Sequence, residues 1–162
     1  MAFSPPDGSM LAVPDNNDLV VTLWDTSTLR DGRGDAPLAT FTGHSQQINA
    51  VAFSHDGAIL ASGSSDTTII LWDLTTHQKI KTMTGHTSRV HCLAFSPDDR
   101  TLASGGNDGT VRLWNLIIKE QVAVLQGHGS TIWDVAFSPD GHTLASSSFD
   151  STIKLWRAAV EH

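Results

Sequence analysis

The sequence predicts an all-β fold assembled from repeated four-stranded units, and two observations carry that expectation. Gly43-His44, Gly85-His86 and Gly127-His128 recur at a 42-residue interval, and Trp72, Trp114 and Trp156 recur at the same interval, each 28 residues after its histidine. Self-similarity of this period is the mark of stacked repeats. Within each repeat, apolar and β-branched segments of five to eight residues alternate with Gly, Asp, Asn, Pro and Ser at roughly ten-residue spacing. No helical periodicity interrupts them.

The elements follow in order. "AFSP" at Ala2 to Pro5 matches Ala52-Phe53-Ser54 and Ala94-Phe95-Ser96-Pro97, so Met1 falls inside a repeat and Met1 to Ser4 reads as a fragment of a first strand. Trp24 closes a third strand but lies 48 residues before Trp72, not 42. The six extra residues fall in 26–37, "TSTLRDGRGDAP", whose polar, glycine-containing composition reads as a loop insertion. Three fuller units follow. The third divides into "RVHCLAFS", "TLASGG", "TVRLWNL" and "QVAVL", with Ser-Pro-Asp turns and an Asn107-Asp108-Gly109 hairpin between them. In the first strand of each unit the apolar spacing slips from three to two: Ile48, Val51, Phe53; Val90, Leu93, Phe95; Ile132, Val135, Phe137. One extra residue in a period-2 strand predicts a β-bulge there.

Composition bounds the function. With 162 residues, 40% hydrophobic and 17% charged, the chain can build a core. No apolar run is long enough to span a bilayer, which points away from a membrane partner. The net charge of −7 and the scattered Lys and Arg argue against nucleic acid as a partner. One cysteine, Cys92, cannot form an internal disulfide, which fits a reducing, cytoplasmic setting.

Gly-His, "AFSPDG", "LASGS" and a closing "LWD" or "LWN" at 42-residue spacing resemble the WD-repeat β-propeller family over essentially the whole chain. The resemblance implies four-stranded antiparallel blades with strands a to d running outward from a channel. Each sequence repeat then supplies strand d of one blade and a, b and c of the next. Blade 1 is expected at about 1–41, blade 2 at 46–83, blade 3 at 88–125 and blade 4 at 130–157, the first incomplete and the last lacking strand d. All four form one segment spanning residues 1–162.

Counting back from each tryptophan gives one constellation three times: His44, Ser62, Asp66 and Trp72; His86, Ser104, Asp108 and Trp114; His128, Ser146, Asp150 and Trp156. Ser, His and Asp are the parts of a hydrolase triad, but catalysis has no use for three equivalent copies in adjacent blades. With an indole that only donates, the four side chains can form a closed structural relay. Similar family members use it to pin the d–a loop to strands b and c. Blade 1 carries only a partial set, Asp18 and Trp24, with Pro14 at the serine's count.

Other candidates are weaker. His55 and His142 fall in or beside a–b turns and His77 in a c–d loop, and none forms a close set with carboxylates or Cys92, so no metal site is expected. Arg33-Gly34-Asp35 reads as a solvated loop. No phosphate-binding glycine loop is present, and no cofactor is expected. In similar propellers, partners dock around the channel mouth. That points to Gln47 and Asn49, Arg89 and His91, Thr131 and Trp133, together with Ser65, Asn107 and Phe149 before each tetrad aspartate. Trp133 and Phe149 form a candidate aromatic anchor.

Four blades are fewer than the seven or eight of a usual family ring, so an open arc bares one sheet face at each end. Each is about 19 by 17 Å, roughly 300 Å². Either two copies close an eight-bladed ring as a homodimer, or the missing blades belong to a longer polypeptide. The leading functional reading is a non-catalytic scaffold for protein or peptide partners. A ligand- or peptide-sensing module cut from a larger bacterial regulatory protein is the alternative. An enzyme is disfavoured, since Asp134 and His91, the nearest unrepeated acid–base candidates, make a poor set.

Overall fold

The computed structural model describes residues 1–29 and 36–157, and the described residues form fifteen strands and no helix. Blade 1 comprises β1 (Ala2–Phe3), β2 (Met10–Asp15), β3 (Val20–Asp25) and β4 (Ala39–Thr42). Blade 2 comprises β5 (Ile48–Phe53), β6 (Ile59–Ser64), β7 (Ile69–Asp73) and β8 (Lys79–Met83). Blade 3 comprises β9 (Val90–Phe95), β10 (Thr101–Gly106), β11 (Val111–Asn115) and β12 (Glu120–Leu125). Blade 4 comprises β13 (Ile132–Phe137), β14 (Thr143–Ser148) and β15 (Ile153–Arg157). Each sheet is antiparallel in chain order, so every Gly-His pair lies on the crossing from the outer strand of one blade to the inner strand of the next. The inner strands β5, β9 and β13 lie side by side, with β1 and β2 against β5.

The period-2 alternation of each strand divides its side chains between two neighbours. Leu60, Ile70 and Trp72 of blade 2 pack with Ala12, Val21, Leu23 and Phe41 of blade 1. Ala61, Ile69 and Leu71, from the same strands, pack with Val90, Phe95, Leu102 and Trp114 of blade 3. A third cluster joins Ala103 and Val111 to Ile132, Val135 and Leu144 across blades 3 and 4. The core is therefore three thin seams between sheets.

Close approach at the inner end of a seam requires a missing side chain. A Cβ on Gly105 would stand 2.4 Å from Ile132 Cγ2, and one on Gly63 would stand 2.7 Å from Val90 Cγ1. The same place in blade 4 holds Ser147, and no sheet follows it among the described residues.

The bulges lie at the start of the inner strands. Pairing steps from Ile48↔Ser64 to Ala50↔Gly63, from Val90↔Gly106 to Cys92↔Gly105, and from Ile132↔Ser148 to Asp134↔Ser147. Asn49, His91 and Trp133 are thus the extra residues that the ladder leaves unpaired.

Blade 1 departs from the count made on the sequence. Leu11 pairs with Trp24 and Val13 with Thr22, where blade 2 pairs Leu60 with Trp72 and Ser62 with Ile70. Its b–c hairpin is one residue longer, so Val13, not Pro14, stands at the serine's place. Arg33-Gly34-Asp35 and the last five positions, 158–162, lie outside the described residues.

The two outermost faces are bare. Ile69 and Leu71 are each 1% exposed, whereas Ile153 and Leu155, their counterparts on blade 4, are 74% and 60% exposed. At the other end Phe3 is 62% exposed where Phe53 is 8%. The side chains are of the same kind, and the difference is the sheet that covers them.

Gly105→Ala is expected to cost about 1–3 kcal/mol by overpacking the seam. Urea denaturation would measure it, and the penalty of Gly105→Ala should be smaller when it is introduced into an Ile132→Ala background than into wild type.

Candidate functional site

In blade 2 the Trp72 indole N–H donates to Ser62 Oγ at 2.9 Å, Ser62 donates to His44 Nε2 at 2.8 Å, and His44 Nδ1–H donates to Asp66 Oδ2 at 2.9 Å. The order of donation is forced. Indole only donates and carboxylate only accepts, so neutral imidazole and hydroxyl must relay between them. Blade 3 repeats the chain through Trp114, Ser104, His86 and Asp108 at 2.8, 2.7 and 2.8 Å. Blade 4 repeats it through Trp156, Ser146, His128 and Asp150 at 2.9, 2.8 and 2.9 Å. The serines and His44 and His86 are buried.

Each aspartate binds more than its histidine. Asp66 Oδ2 accepts the Ser45 N–H, Asp108 Oδ2 that of Thr87 and Asp150 Oδ2 that of Gly129, which fixes the backbone just past each Gly-His. Their Oδ1 atoms accept the hydroxyls of Thr68, Thr110 and Thr152 at 2.7, 2.7 and 2.6 Å. These threonines are members of the network that sequence counting missed. The signal is present as a threonine two residues after every tetrad aspartate and four before every tryptophan, but a hydroxyl beyond the relay itself is not needed to close it. Burial works to raise the Asp66 and Asp108 carboxyls. Hydrogen bonds outweigh it, from Thr68, Ser45 and His44 on Asp66 and from His86, Thr110 and Thr87 on Asp108, and hold both well below the ordinary carboxylate range. Asp150 is held low first by Thr152.

The partial set expected in blade 1 is not assembled. Trp24 donates to Thr22 Oγ1 at 2.9 Å, and Thr22 donates to the Val13 carbonyl at 3.1 Å. Asp18 takes no part, because Val20 stands where the other blades have threonine and no histidine among the described residues bonds to it. A second correction concerns His55, which does meet a carboxylate. Its Nδ1–H and backbone N–H both donate to Asp99 Oδ1 at 2.9 Å, and the Asp56 N–H donates to Asp99 Oδ2 at 2.9 Å.

The partner-binding candidates are brought together as one arc. The carbonyls of Gln47, Arg89 and Thr131 accept the N–H groups of Ser65, Asn107 and Phe149 at 2.8, 2.8 and 2.9 Å, so each bulge meets the b–c turn of its own blade. Asn49 Nδ2 donates to Ser65 Oγ at 3.1 Å and reaches blade 3 at the Val90 carbonyl, 3.0 Å away. His91 Nε2 lies 2.7 Å from Asn107 Oδ1, which Thr131 of blade 4 also donates to at 3.0 Å. The His91 ring stands 5.3 Å from Trp133, and Trp133 stands 6.3 Å from Phe149 at 62°. Gln47 and Arg89 are exposed, while Ser65, expected on the surface, is buried beneath the Asn49 amide. Along the arc the chemistry changes from amide and hydroxyl in blade 2 to aromatic in blade 4.

Repeated sheets, a relay used for structure and a single-copy arc at the bulges define a WD-type blade array. The family model for "WD domain, G-beta repeat" matches residues 35–73, 77–115 and 119–157, well over half of the chain, and the chain belongs to this family. Each match runs from an outer strand into the next blade. Among similar proteins are the "Target of rapamycin complex subunit wat1" of Schizosaccharomyces pombe, 39% identical over 43% of this chain and 20% of that protein. The "Small ribosomal subunit protein RACK1" of Neurospora crassa is 38% identical over 44% of this chain and 21% of that protein. The "Notchless protein homolog" of Arabidopsis thaliana is 57% identical over 23% of this chain and 8% of that protein. The chain thus spans about a fifth or less of the length of these relatives.

Asp108→Ala should lower stability by about 1–3 kcal/mol, since it leaves a buried imidazole N–H and a threonine hydroxyl unpaired. Because the folded carboxyl is depressed, its stabilisation is complete above the unfolded value near 3.9 and is lost as pH falls below it. Urea midpoints at pH 7 and pH 3 should therefore differ less in Asp108→Asn than in wild type.

Proposed function

We propose that the chain is a non-catalytic scaffold for protein or peptide partners, which dock on the arc of bulge and turn residues from Asn49 to Phe149. One observation carries this reading. The Ser, His and Asp that could serve chemistry occur in three equivalent copies whose donors and acceptors are consumed in holding strands together. Residues that differ from blade to blade meet at the bulges, where Asn49 reaches the Val90 carbonyl and His91, Asn107, Thr131, Trp133 and Phe149 are in contact. Trp133 and Phe149, 52% and 70% exposed, form the anchor. The buried lone thiol of Cys92 supports a cytoplasmic setting.

The bare end faces support self-assembly. We take blade 4 of one copy to cover blade 1 of a second, twice over, in a closed eight-bladed ring. Four faces of roughly 300 Å² each give about 1,200 Å² buried in all, at the lower edge of stable interfaces. Closed two-fold assembly uses both faces and leaves none to propagate a filament.

Two measurements test the reading. Light scattering after size exclusion should give twice the 17.4 kDa chain mass, and Leu155→Asp should return it to a folded single copy. A wild-type chain that stays single and folded would sink the ring. Partners retained by the immobilised wild-type protein should be lost from the Trp133→Ala/Phe149→Ala variant with the circular dichroism unchanged. An unaltered partner set would place docking elsewhere.

A further inference from the structure

We infer that the corner between Trp133 and Phe149 receives a guanidinium side chain from a basic peptide, with His91 Nδ1 accepting one of its N–H groups. The inference rests on the docking face proposed above and adds the chemistry of the partner.

Three features on different elements converge. The first is the pair of rings, set at 62° and joined to the His91 ring, which leaves aromatic surface open on blade 4. Aromatic faces carry negative potential and attract cations, the planar guanidinium best of all because it also stacks.

The second is the hydrogen bonding of His91. Asn107 Oδ1 lies 2.7 Å from Nε2 and also receives the Thr131 hydroxyl, so it acts as an acceptor of two bonds and Nε2 must carry the proton. In the neutral ring the other nitrogen, Nδ1, is a lone-pair acceptor with no hydrogen-bond partner among the described residues. The ligand that satisfies it is a hydrogen-bond donor.

The third is charge. Asp134 directly follows Trp133 and is exposed. Arg89 is the one cation named for the arc, and it stands at the edge of blade 3 on the position that Thr131 occupies in blade 4. The whole chain carries −7. An acidic side chain in the corner would face the electron-rich rings. A purely apolar one would cover the Nδ1 acceptor without pairing it, which costs free energy.

The test uses the full chain at low ionic strength and three probes: acetyl-Ala-Arg-Ala-amide, its citrulline counterpart and acetyl-Ala-Glu-Ala-amide. Binding is read from ¹H–¹⁵N shifts of the Trp133 indole and the Asn107 and Phe149 amides. The arginine peptide should move these signals and saturate them. The uncharged citrulline peptide should bind about tenfold more weakly, and the glutamate peptide should leave the signals in place. Trp133→Ala should weaken arginine binding about tenfold, read at Asn107 and Phe149. His91→Phe, which keeps a ring but removes the acceptor, should weaken it several-fold. Citrulline or glutamate binding as tightly as arginine overturns the inference while the docking face stands. Silence at Trp133 with all three probes overturns it too, and partner capture by the wild-type chain then judges the docking face separately.

Discussion

In each of blades 2 to 4, one serine hydroxyl sits between an indole N–H and an imidazole nitrogen, and the rest of the blade is arranged around that contact. The serine comes from strand b, the tryptophan from strand c, and the histidine from the crossing that joins one blade to the next. A hydroxyl can accept from one side while donating to the other, so a single atom binds three segments that are far apart in the chain. Burial makes the arrangement all or nothing, since each group that lost its partner would stay unpaired in a dry place. The aspartate then closes the chain at the surface by gripping the backbone after the glycine–histidine pair and the threonine of the b–c turn. Blade 1, with valine at the serine's place, ties its tryptophan only to its own strand neighbour.

This division leaves two kinds of residue. Those in register with the repeat build seams and relays and are nearly identical from blade to blade. Those at the bulges differ, because the ladder does not pair them and the seam does not bury them. The bulge lets one strand serve both ends, since it shifts pairing by one residue without displacing Val51, Leu93 or Val135 from the inner strands. At the bulges, variation changes what the rim presents without disturbing the seams.

Much of this was legible in the sequence because repetition made each element visible three times. The 42-residue interval located the strands, the relay and the bulges, and the strand alternation located the seams. Each departure from the sequence reading has its own physical cause. Blade 1 carries an extra residue in its b–c hairpin, so Pro14 was assigned a place that Val13 holds. Ser65 was placed on the surface by analogy with Asn107 and Phe149, but the Asn49 amide lies over it. The threonines were overlooked because they bind the aspartate rather than the serine. Contacts between neighbouring blades that involve non-repeated residues, such as Asn107 with Thr131, leave no periodic trace.

The a–b turns of blades 2 and 3 carry such a contact, and it reinterprets two apparent lapses in the pattern. Blade 2 has His55 where its neighbours have proline, and blade 3 has Asp99, at φ 54°, where they have glycine. Asp99 takes a positive φ that glycine adopts more readily. Together the two substitutions form a clasp, for a proline would supply no N–H to Asp99 and a glycine would supply no carboxylate to His55. Idealising either turn toward the average of the repeats would erase a bond that exists only between two exceptions. In a molecule made of near copies, this paired irregularity ties blade 2 to blade 3 through bonds that two regular turns could not supply.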